Sequence, residues 1–250
     1  MKKNEAGWRR LSVLIALLCG AVLYGTYVFC NQQVSRSANI RPGGPTSQDK
    51  IPGSSNYTCI PGQTCWPSTN EWASFNESII GRLRITIPWA APCFSSSSSE
   101  SCQQVAGNYG DGVSRTAQYG AMEFLDWETC GQSHCSLNSF NTSLPVLGTC
   151  SLGRLSTYYV EARTANDISE TLNFVRKHGI RLSIKNTGHD YFGRSSAANS
   201  LAIWTYKLKD TKYHKNFQPT GCQTKYENVG EIGAGVQAQE AWQFLSLIHI

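Results

Sequence analysis

After residue 150 the chain carries short apolar runs at the spacing of a β-α-β unit. Tyr158–Ala162 and Ile180–Ile184 are rich in β-branched, aromatic and aliphatic residues, and Leu201–Tyr206 is a third run of this kind. Short runs bounded by polar residues and glycine are typical of strands. The pattern therefore predicts three strands, with room for one helix between the first two.

The segment between the first two predicted strands carries the start and stop signals of a helix. Thr164 and Asp167 form a capping-box pattern, and Gly179 follows a basic last turn that ends in His178. Gly179 is predicted to close the helix. The apolar positions at helical spacing, predicted to face the core, are Ile168, Leu172 and Val175.

Upstream, residues 56–150 have an irregular hydrophobic pattern and contain many aromatic residues and cysteines. One helix is predicted at Ser68–Ile80, where Ser68 and Glu71 form a second capping box. The apolar face of this helix is predicted to lie in the core and consists of Trp72, Phe75 and Ile79.

The N-terminal segment, residues 1–30, is a basic leader followed by the uncharged, mostly apolar run Leu11–Cys30. A run of about 20 residues is near the minimum for a membrane-spanning helix, and it also fits a cleaved signal peptide. Both alternatives place the remainder outside the cytosol, either secreted or anchored in a membrane through residues 11–30. Residues 31–55 are rich in proline, glycine and serine and are interpreted as a stalk.

The charge distribution narrows the classes of function. The formal net charge of +5 is concentrated in the leader, and no basic cluster occurs after it. The sequence therefore does not predict nucleic-acid binding, because that function needs a basic stripe or patch.

Cysteines and sequons agree with export. Eight cysteines follow the leader, and disulfides explain them better than zinc because no Cys-x-x-Cys spacing occurs. Proximity along the chain predicts the pairs Cys59–Cys65, Cys93–Cys102 and Cys130–Cys135, with Cys150–Cys222 closing a longer loop. The Asn-x-Ser/Thr sequons, which predict N-glycosylation, begin at Asn56, Asn76 and Asn141.

A glycine-bracketed turn follows the second predicted strand and reads "NTGHDYFG". Gly188 and Gly193 allow tight turns and a close approach of the backbone, and His189 lies between them. Turns after the strands of α/β proteins often bind ligands, and their backbone N–H groups suit phosphate. On the local sequence alone, a turn without any ligand is the better interpretation.

The wider sequence resembles the flavin-binding domain of the vanillyl-alcohol-oxidase/p-cresol-methylhydroxylase superfamily. Tyr158–Asp210 and Glu231–Trp242 carry the resemblance, and Lys185–Ser196 is its most specific part. More narrowly, it resembles the secreted fungal FAD-linked oxidoreductases, including isoamyl-alcohol-oxidase-like and berberine-bridge-enzyme-like proteins. Cys59–Asn76 and Gly81–Cys93 resemble the N-terminal extension of that group.

The resemblance implies a role for each residue of the glycine-bracketed turn. His189 matches the histidine that bonds covalently to the 8α-methyl group of FAD, a link that makes the flavin easier to reduce. Gly233–Gly235 matches a later strand of the domain, as a cofactor contact or as a simple strand bend. The residues that match the loop around the FAD pyrophosphate are Lys185, Asn186, Thr187, Gly188, Asp190, Gly193, Arg194 and Ser195.

The implied fold is α+β, a PCMH-type FAD-binding domain preceded by a disulfide-rich extension. The expected segments are a signal peptide or anchor at 1–30, a stalk at 31–55, the extension at 56–150 and the first, incomplete α/β subdomain at 151–250. The catalytic base and substrate pocket are expected downstream of Ile250, in a chain truncated or misassembled at its C-terminal end. A fragment of this kind is expected to be inactive, to bind FAD poorly and to expose an unpaired sheet edge.

The implied reaction is oxidation of an alcohol-type or carbohydrate-type small molecule, with hydride transfer to FAD and O2 as the acceptor. Three alternatives stay open: a binding glycoprotein on a degenerate flavin fold, a metal-dependent hydrolase using His189 and Asp190, and a pseudogene fragment that never accumulates. No metal site is predicted. His134 is interpreted as a residue of a solvated loop. His214 is interpreted as part of a charged connection.

Overall fold

The computed structural model describes residues 58–123, 135–138, 141–142, 146 and 148–248. Outside these residues lie the leader, the stalk and individual positions named above, namely Asn56, Cys130 and His134. In the part of the chain that the structure describes, no helix has the length and hydropathy needed to cross a bilayer.

The secondary structure alternates helices and short strands. The helices are α1 Thr69–Ser78, α2 Ala91–Ser95, α3 Glu100–Asn108, α4 Gly112–Thr116, α5 Ala165–His178 and α6 Ala238–Leu247. The strands are β1 Leu83–Ile85, β2 Tyr158–Glu161, β3 Arg181–Lys185, β4 Ser200–Trp204, β5 Thr211–Phe217 and β6 Tyr226–Ile232.

The main sheet has four strands in the order β1-β2-β4-β3. β4 is parallel to both β2 and β3, and β1 is antiparallel to β2. All five residues of β4 are buried, as expected for a central parallel strand. The predicted β-α-β unit is confirmed, with β4 inserted between the two strands that α5 connects.

Helix α5 begins and ends as predicted, but its buried face is displaced by one residue. The Thr164–Asp167 capping box is present, and Gly179 closes the helix with φ +63°. The buried residues are Asp167, Thr171 and Phe174, whereas Leu172 is 44% exposed. The predicted inward position of Leu172 is wrong because the Phe174 ring stacks on Phe75 of α1, 4.2 Å away between ring centroids, and this contact fixes the rotation of α5.

The predicted cap and core face of helix α1 are both confirmed. Ser68 and Glu71 form the capping box, and Trp72, Phe75 and Ile79 are all buried. These side chains form one hydrophobic cluster with residues of the sheet and with Phe174. Aromatic rings at distances of 4 to 6 Å attract one another beyond the effect of buried area, so this cluster joins the two helices firmly.

The cysteine-rich segment contributes one strand to the main sheet. β1 pairs with β2, and Cys59 forms an isolated parallel bridge with Ile180. Residues 55–212 and 231–250 form one compact unit. The described residues of the second unit, 213–230, include most of the two-stranded sheet of β5 and β6, where the Tyr213 hydroxyl donates to Asn228 Oδ1.

The predicted disulfides are confirmed in two cases and wrong in two. Cys59–Cys65 and Cys93–Cys102 form as predicted, but Cys135 bonds to Cys150. Cys130–Cys135 and Cys150–Cys222 are therefore excluded, although Cys222 is itself disulfide-bonded. Leu137 packs with Val105 and Tyr109 in a second hydrophobic cluster that also contains Cys150, and this packing brings the two cysteines together.

Peptide mapping without reduction is expected to recover Cys135 linked to Cys150. No lysine or arginine lies between Arg115 and Arg154, so trypsin leaves both cysteines in one peptide. Chymotrypsin cleaves after Phe140 and separates them. A Cys130–Cys135 peptide in that digest would contradict the structure, and a reduced sample run in parallel serves as the control.

Candidate functional site

The glycine-bracketed turn lies immediately after β3, at the end of the parallel strands. Residues 186–196, here called the histidine loop, leave the sheet at Lys185 and return to it at β4. The loop is fixed at its start because the Asn186 backbone carbonyl accepts a hydrogen bond from Trp204 Nε1 at 3.0 Å. At its other end, the Ser196 hydroxyl donates to the Arg154 carbonyl.

Asp190 organises the second half of the histidine loop. Its carboxylate accepts from the backbone N–H groups of Phe192 and Arg194 at 3.1 and 2.7 Å and from Arg194 Nε at 2.9 Å. The Gly193 N–H donates to the Asp190 carbonyl at 3.3 Å, and Gly193 has φ +72°. The hydrogen bonds from Arg194 hold the pKa of Asp190 below its ordinary value. Asp190, Gly193 and Arg194 therefore shape the turn itself.

Gly188 is required for two independent reasons. Its φ of +96° is a conformation that side chains with a Cβ rarely adopt. A Cβ at this position would lie 3.1 Å from Lys185 Cε and 3.2 Å from the Glu123 backbone nitrogen. The histidine loop thus packs directly against the chain at residues 122–123.

His189 lies on the exposed side of this loop. Its side chain is exposed, and Tyr191 and Phe192 beside it are 70% and 79% exposed. The Arg194 guanidinium lies 5.5 Å from the Phe192 ring centroid. Thr187 and Ser195 are half-buried within the loop. The arrangement presents an imidazole and two aromatic rings from a loop that is fixed at both ends.

Asn186 links the histidine loop to the turn before α6. Its Nδ2 donates to the Ala234 carbonyl at 2.5 Å, and its Oδ1 is buried without a hydrogen-bond partner among the described residues. Buried polar atoms are normally paired, so an unpaired amide oxygen indicates a place for a ligand or water donor.

Gly233–Gly235 lies in that turn, after the end of β6. The prediction that these residues belong to a strand is wrong. The N–H groups of Gly233 and Gly235 donate to the carbonyls of Asp210 and Leu208 at 2.7 and 2.9 Å. A Cβ on Gly235 would lie 2.3 Å from the Tyr206 carbonyl oxygen. Close approach of two backbones accounts for both glycines.

Lys185, a predicted cofactor-binding residue, has a fully buried side chain. The alternation of β3 places Ser183 and Lys185 on its buried face and leaves Ile184 exposed. The Lys185 ammonium donates to the carbonyls of Gln118 and Tyr119 at 2.6 and 3.3 Å and to that of Ala121. We therefore assign the Lys185 side chain to holding the neighbouring chain in place. The polar alternation of "LSIK" was the available sequence signal for this burial.

The remaining described histidines are not part of this loop. His178 lies in the last turn of α5 as predicted, 4.6 Å from the Phe174 ring, and burial lowers its pKa. His214 belongs to strand β5, where a charged connection was predicted. Among the described residues, no three His, Cys, Asp or Glu side chains lie close enough to share a metal ion.

The described residues combine a mixed sheet with a fixed loop that presents His189 after a parallel strand, and loops in this position of α/β proteins often bind ligands. No protein-family profile matches the sequence. An uncharacterized FAD-linked oxidoreductase of Arthroderma benhamiae is 35% identical over 175 residues, which are 70% of this chain and 30% of that protein. An FAD-linked oxidoreductase of Aspergillus flavipes is 33% identical over 198 residues, covering 74% of this chain and 32% of the relative.

Solved structures agree with these relatives. The VAO-type flavoprotein MtVAO615 of Myceliophthora thermophila C1 superposes with a TM-score of 0.63 at 29% identity, covering 76% of this chain and 34% of that one. The chain belongs to the VAO-type FAD-linked oxidoreductase family, and the predicted α+β fold of this family is confirmed. It spans about a third of the length of the relatives it matches.

Proposed function

We propose that the protein is an FAD-dependent oxidoreductase and that the histidine loop holds the flavin covalently through His189. The observation that carries this proposal is the position of His189, exposed on a loop whose two ends and internal turn are all fixed by hydrogen bonds. A fixed loop supports covalent attachment because it presents the imidazole to the cofactor in a single orientation.

The residues of the loop fit FAD. The buried Oδ1 of Asn186, which has no hydrogen-bond partner among the described residues, offers an acceptor to the hydroxyl groups of a bound cofactor. Gly188 lets the backbone lie close to its neighbours, and Thr187 and Ser195 contribute hydroxyl groups from half-buried positions. Tyr191 and Phe192 add an exposed aromatic surface on which a planar ring system packs favourably.

FAD would supply the two-electron acceptor that amino-acid side chains lack. The chain's own contribution in the described region is to hold and orient the cofactor. The proposed reaction is oxidation of an alcohol-type or carbohydrate-type substrate with O2 as the final acceptor. A relative from Thermothelomyces thermophilus, 31% identical, is named a VAO-type flavoprotein oxidase, which supports oxygen as the acceptor.

Export and glycosylation belong to the same proposal. Disulfides persist in oxidising compartments, and three of them join described residues. Asn141 is exposed. Asn76 is half-buried, and its Oδ1 accepts a hydrogen bond from the Leu83 N–H at 3.0 Å, which leaves its Nδ2 as the atom for glycan attachment. We propose a secreted or membrane-anchored glycoprotein with this unit on the non-cytosolic side.

The test of the proposal is an intact mass on the natural protein after reduction, denaturation and deglycosylation. We expect the polypeptide mass to be increased by one FAD, and peptide mapping to place the addition on the peptide that contains His189. A mass equal to that of the bare polypeptide would exclude the covalent link. Assay of the supernatant for released FAD then separates non-covalent binding from a binding glycoprotein without flavin.

A further inference from the structure

Two buried cations hold one short stretch of backbone, residues 118–122, here called the carbonyl segment. Lys185 is fully buried and donates to the carbonyls of Gln118, Tyr119 and Ala121. Arg115 is 2% exposed, and its Nε donates to the Met122 carbonyl at 2.7 Å. The Gly120 carbonyl accepts from the Trp89 N–H at 3.0 Å. Every carbonyl of the segment is therefore engaged.

The cost of burying these charges shows that the arrangement is specific. A buried ammonium or guanidinium group is tolerated only where hydrogen bonds and other polar contacts replace its hydration. Lys185 Nζ also lies 5.5 Å from the centroid of Tyr119 and 5.9 Å from that of Trp204. The guanidinium carbon of Arg115 lies 4.9 Å from the centroid of the Tyr109 ring. Carbonyl dipoles and ring faces together stabilise both cations.

The carbonyl segment forms the surface against which the histidine loop packs. A Cβ on Gly188 would lie 3.5 Å from Met122 Cα and 3.2 Å from the nitrogen of Glu123, so contact at this point is already close. Lys185 joins the two sides directly, because its backbone belongs to β3 and its ammonium to the carbonyl segment. Moving the segment would therefore move Gly188, and with it the neighbouring His189.

We propose that Lys185 and Arg115 are positioning residues for the flavin. By holding the carbonyl segment from two sides, they fix the surface behind Gly188 and set the position in which His189 meets the cofactor. This inference rests on the proposed function for its effect on flavin, but its effect on the loop is measurable without flavin. Neither side chain needs to touch the cofactor.

Lys185→Met is the main test, because methionine keeps most of the buried volume and removes the charge and its hydrogen bonds. In the natural protein carrying this change, we expect amide hydrogen exchange across residues 186–193 to accelerate by about tenfold or more, since local opening becomes easier. Exchange in β4 should stay as in the unchanged protein. The fraction of protein with covalent flavin should fall, and the flavin absorption spectrum should shift towards that of the non-covalent form.

Two further variants separate positioning from a general loss of stability. Thr171→Val removes a buried hydrogen bond within α5, from Thr171 Oγ1 to the Asp167 carbonyl at 2.6 Å, outside both the histidine loop and the carbonyl segment. It should lower the melting temperature without changing covalent flavin or the spectrum. Lys207→Met removes an exposed lysine over the same Trp204 ring, 5.7 Å from its centroid, and should change neither quantity.

The inference is overturned if amide exchange in the histidine loop of Lys185→Met is the same as in the unchanged protein. It is also overturned if Thr171→Val, with a melting temperature equal to that of Lys185→Met, loses as much covalent flavin as Lys185→Met does. If Lys185→Met does not fold, Arg115→Lys is used in its place. We expect it to change amide exchange, covalent flavin and the flavin spectrum in the same direction, but less. An unchanged protein that holds no flavin would refute the proposed function, while the exchange measurement would still decide whether the carbonyl segment positions the loop.

Discussion

Replacing His189 with alanine is expected to abolish the flavin that stays with the denatured polypeptide. The imidazole is the proposed point of attachment, and alanine has no atom that can form the bond. The loop is held by contacts of Asn186, Asp190 and Ser196, so we expect its backbone to keep its path. The measurement is the absorbance of the washed, acid-precipitated protein near the flavin maximum, compared with that of the unchanged protein.

The flavin-free forms of the two proteins should unfold at nearly the same temperature, because exposed side chains seldom contribute more than about 0.5 kcal/mol. His214→Ala is the matched control, since it removes a histidine from strand β5 and should leave covalent flavin at its full level. Covalent flavin that persists in His189→Ala would refute the attachment site. Loss of flavin from both variants would point to a general defect of folding.

Local sequence signals predicted the parts of the fold that depend on neighbouring residues. The capping boxes at Ser68 and Thr164 and the closing glycine at Gly179 involve partners within a few positions, and all three are confirmed. The rotation of α5 depends on a ring of α1, about a hundred positions away, so the apolar pattern around Leu172 could not reveal it. The Cys135–Cys150 bond likewise depends on packing around Leu137.

The same distinction applies to the candidate site. The need for glycine at position 188 was recognisable from the turn after a strand, whereas the role of His189 came from the resemblance and stays a prediction. Lys185 was assigned to the cofactor from the resemblance alone, and its hydrogen-bond partners could not be foreseen because they lie 64 to 67 positions before it. A lysine followed by a ligand-binding loop looks like a ligand contact until its buried position on β3 is known.

A largely buried ion pair joins the segment before β1 to the start of α5. The side chain of Asp167 is 2% exposed and forms an ion pair with Arg82, whose side chain is 20% exposed. Its Oδ2 also accepts from the N–H groups of Arg163 and Thr164 at 2.9 and 2.8 Å. One carboxylate thus caps helix α5 and holds the cysteine-rich segment to that helix.

Asp167→Asn is expected to lower the free energy of unfolding at pH 7 by about 3 kcal/mol, because it leaves Arg82 largely buried without its counter-charge. Urea unfolding of the disulfide-intact protein measures this. Glu161→Gln is the matched control, since it removes the ion pair with Arg163, whose side chain is 57% exposed, and should cost less than about 1 kcal/mol. Equal losses in the two variants would show that burial gives the Asp167 pair no added effect.

The pH dependence of the Asp167→Asn variant gives an independent check. Burial raises the pKa of Asp167, but the hydrogen bonds from Arg163, Arg82 and Thr164 outweigh it and leave the pKa below its ordinary value. A carboxyl group with a lowered pKa stabilises the folded state fully above its unfolded pKa of about 3.9, and this stabilisation is lost as the pH falls through the lower folded value. The difference in unfolding free energy between the two proteins should therefore be constant near neutral pH and shrink in strongly acidic solution. A difference that persists in acid would mean that the asparagine disturbs packing around the α5 cap, and that the charge of Asp167 is not what stabilises this junction.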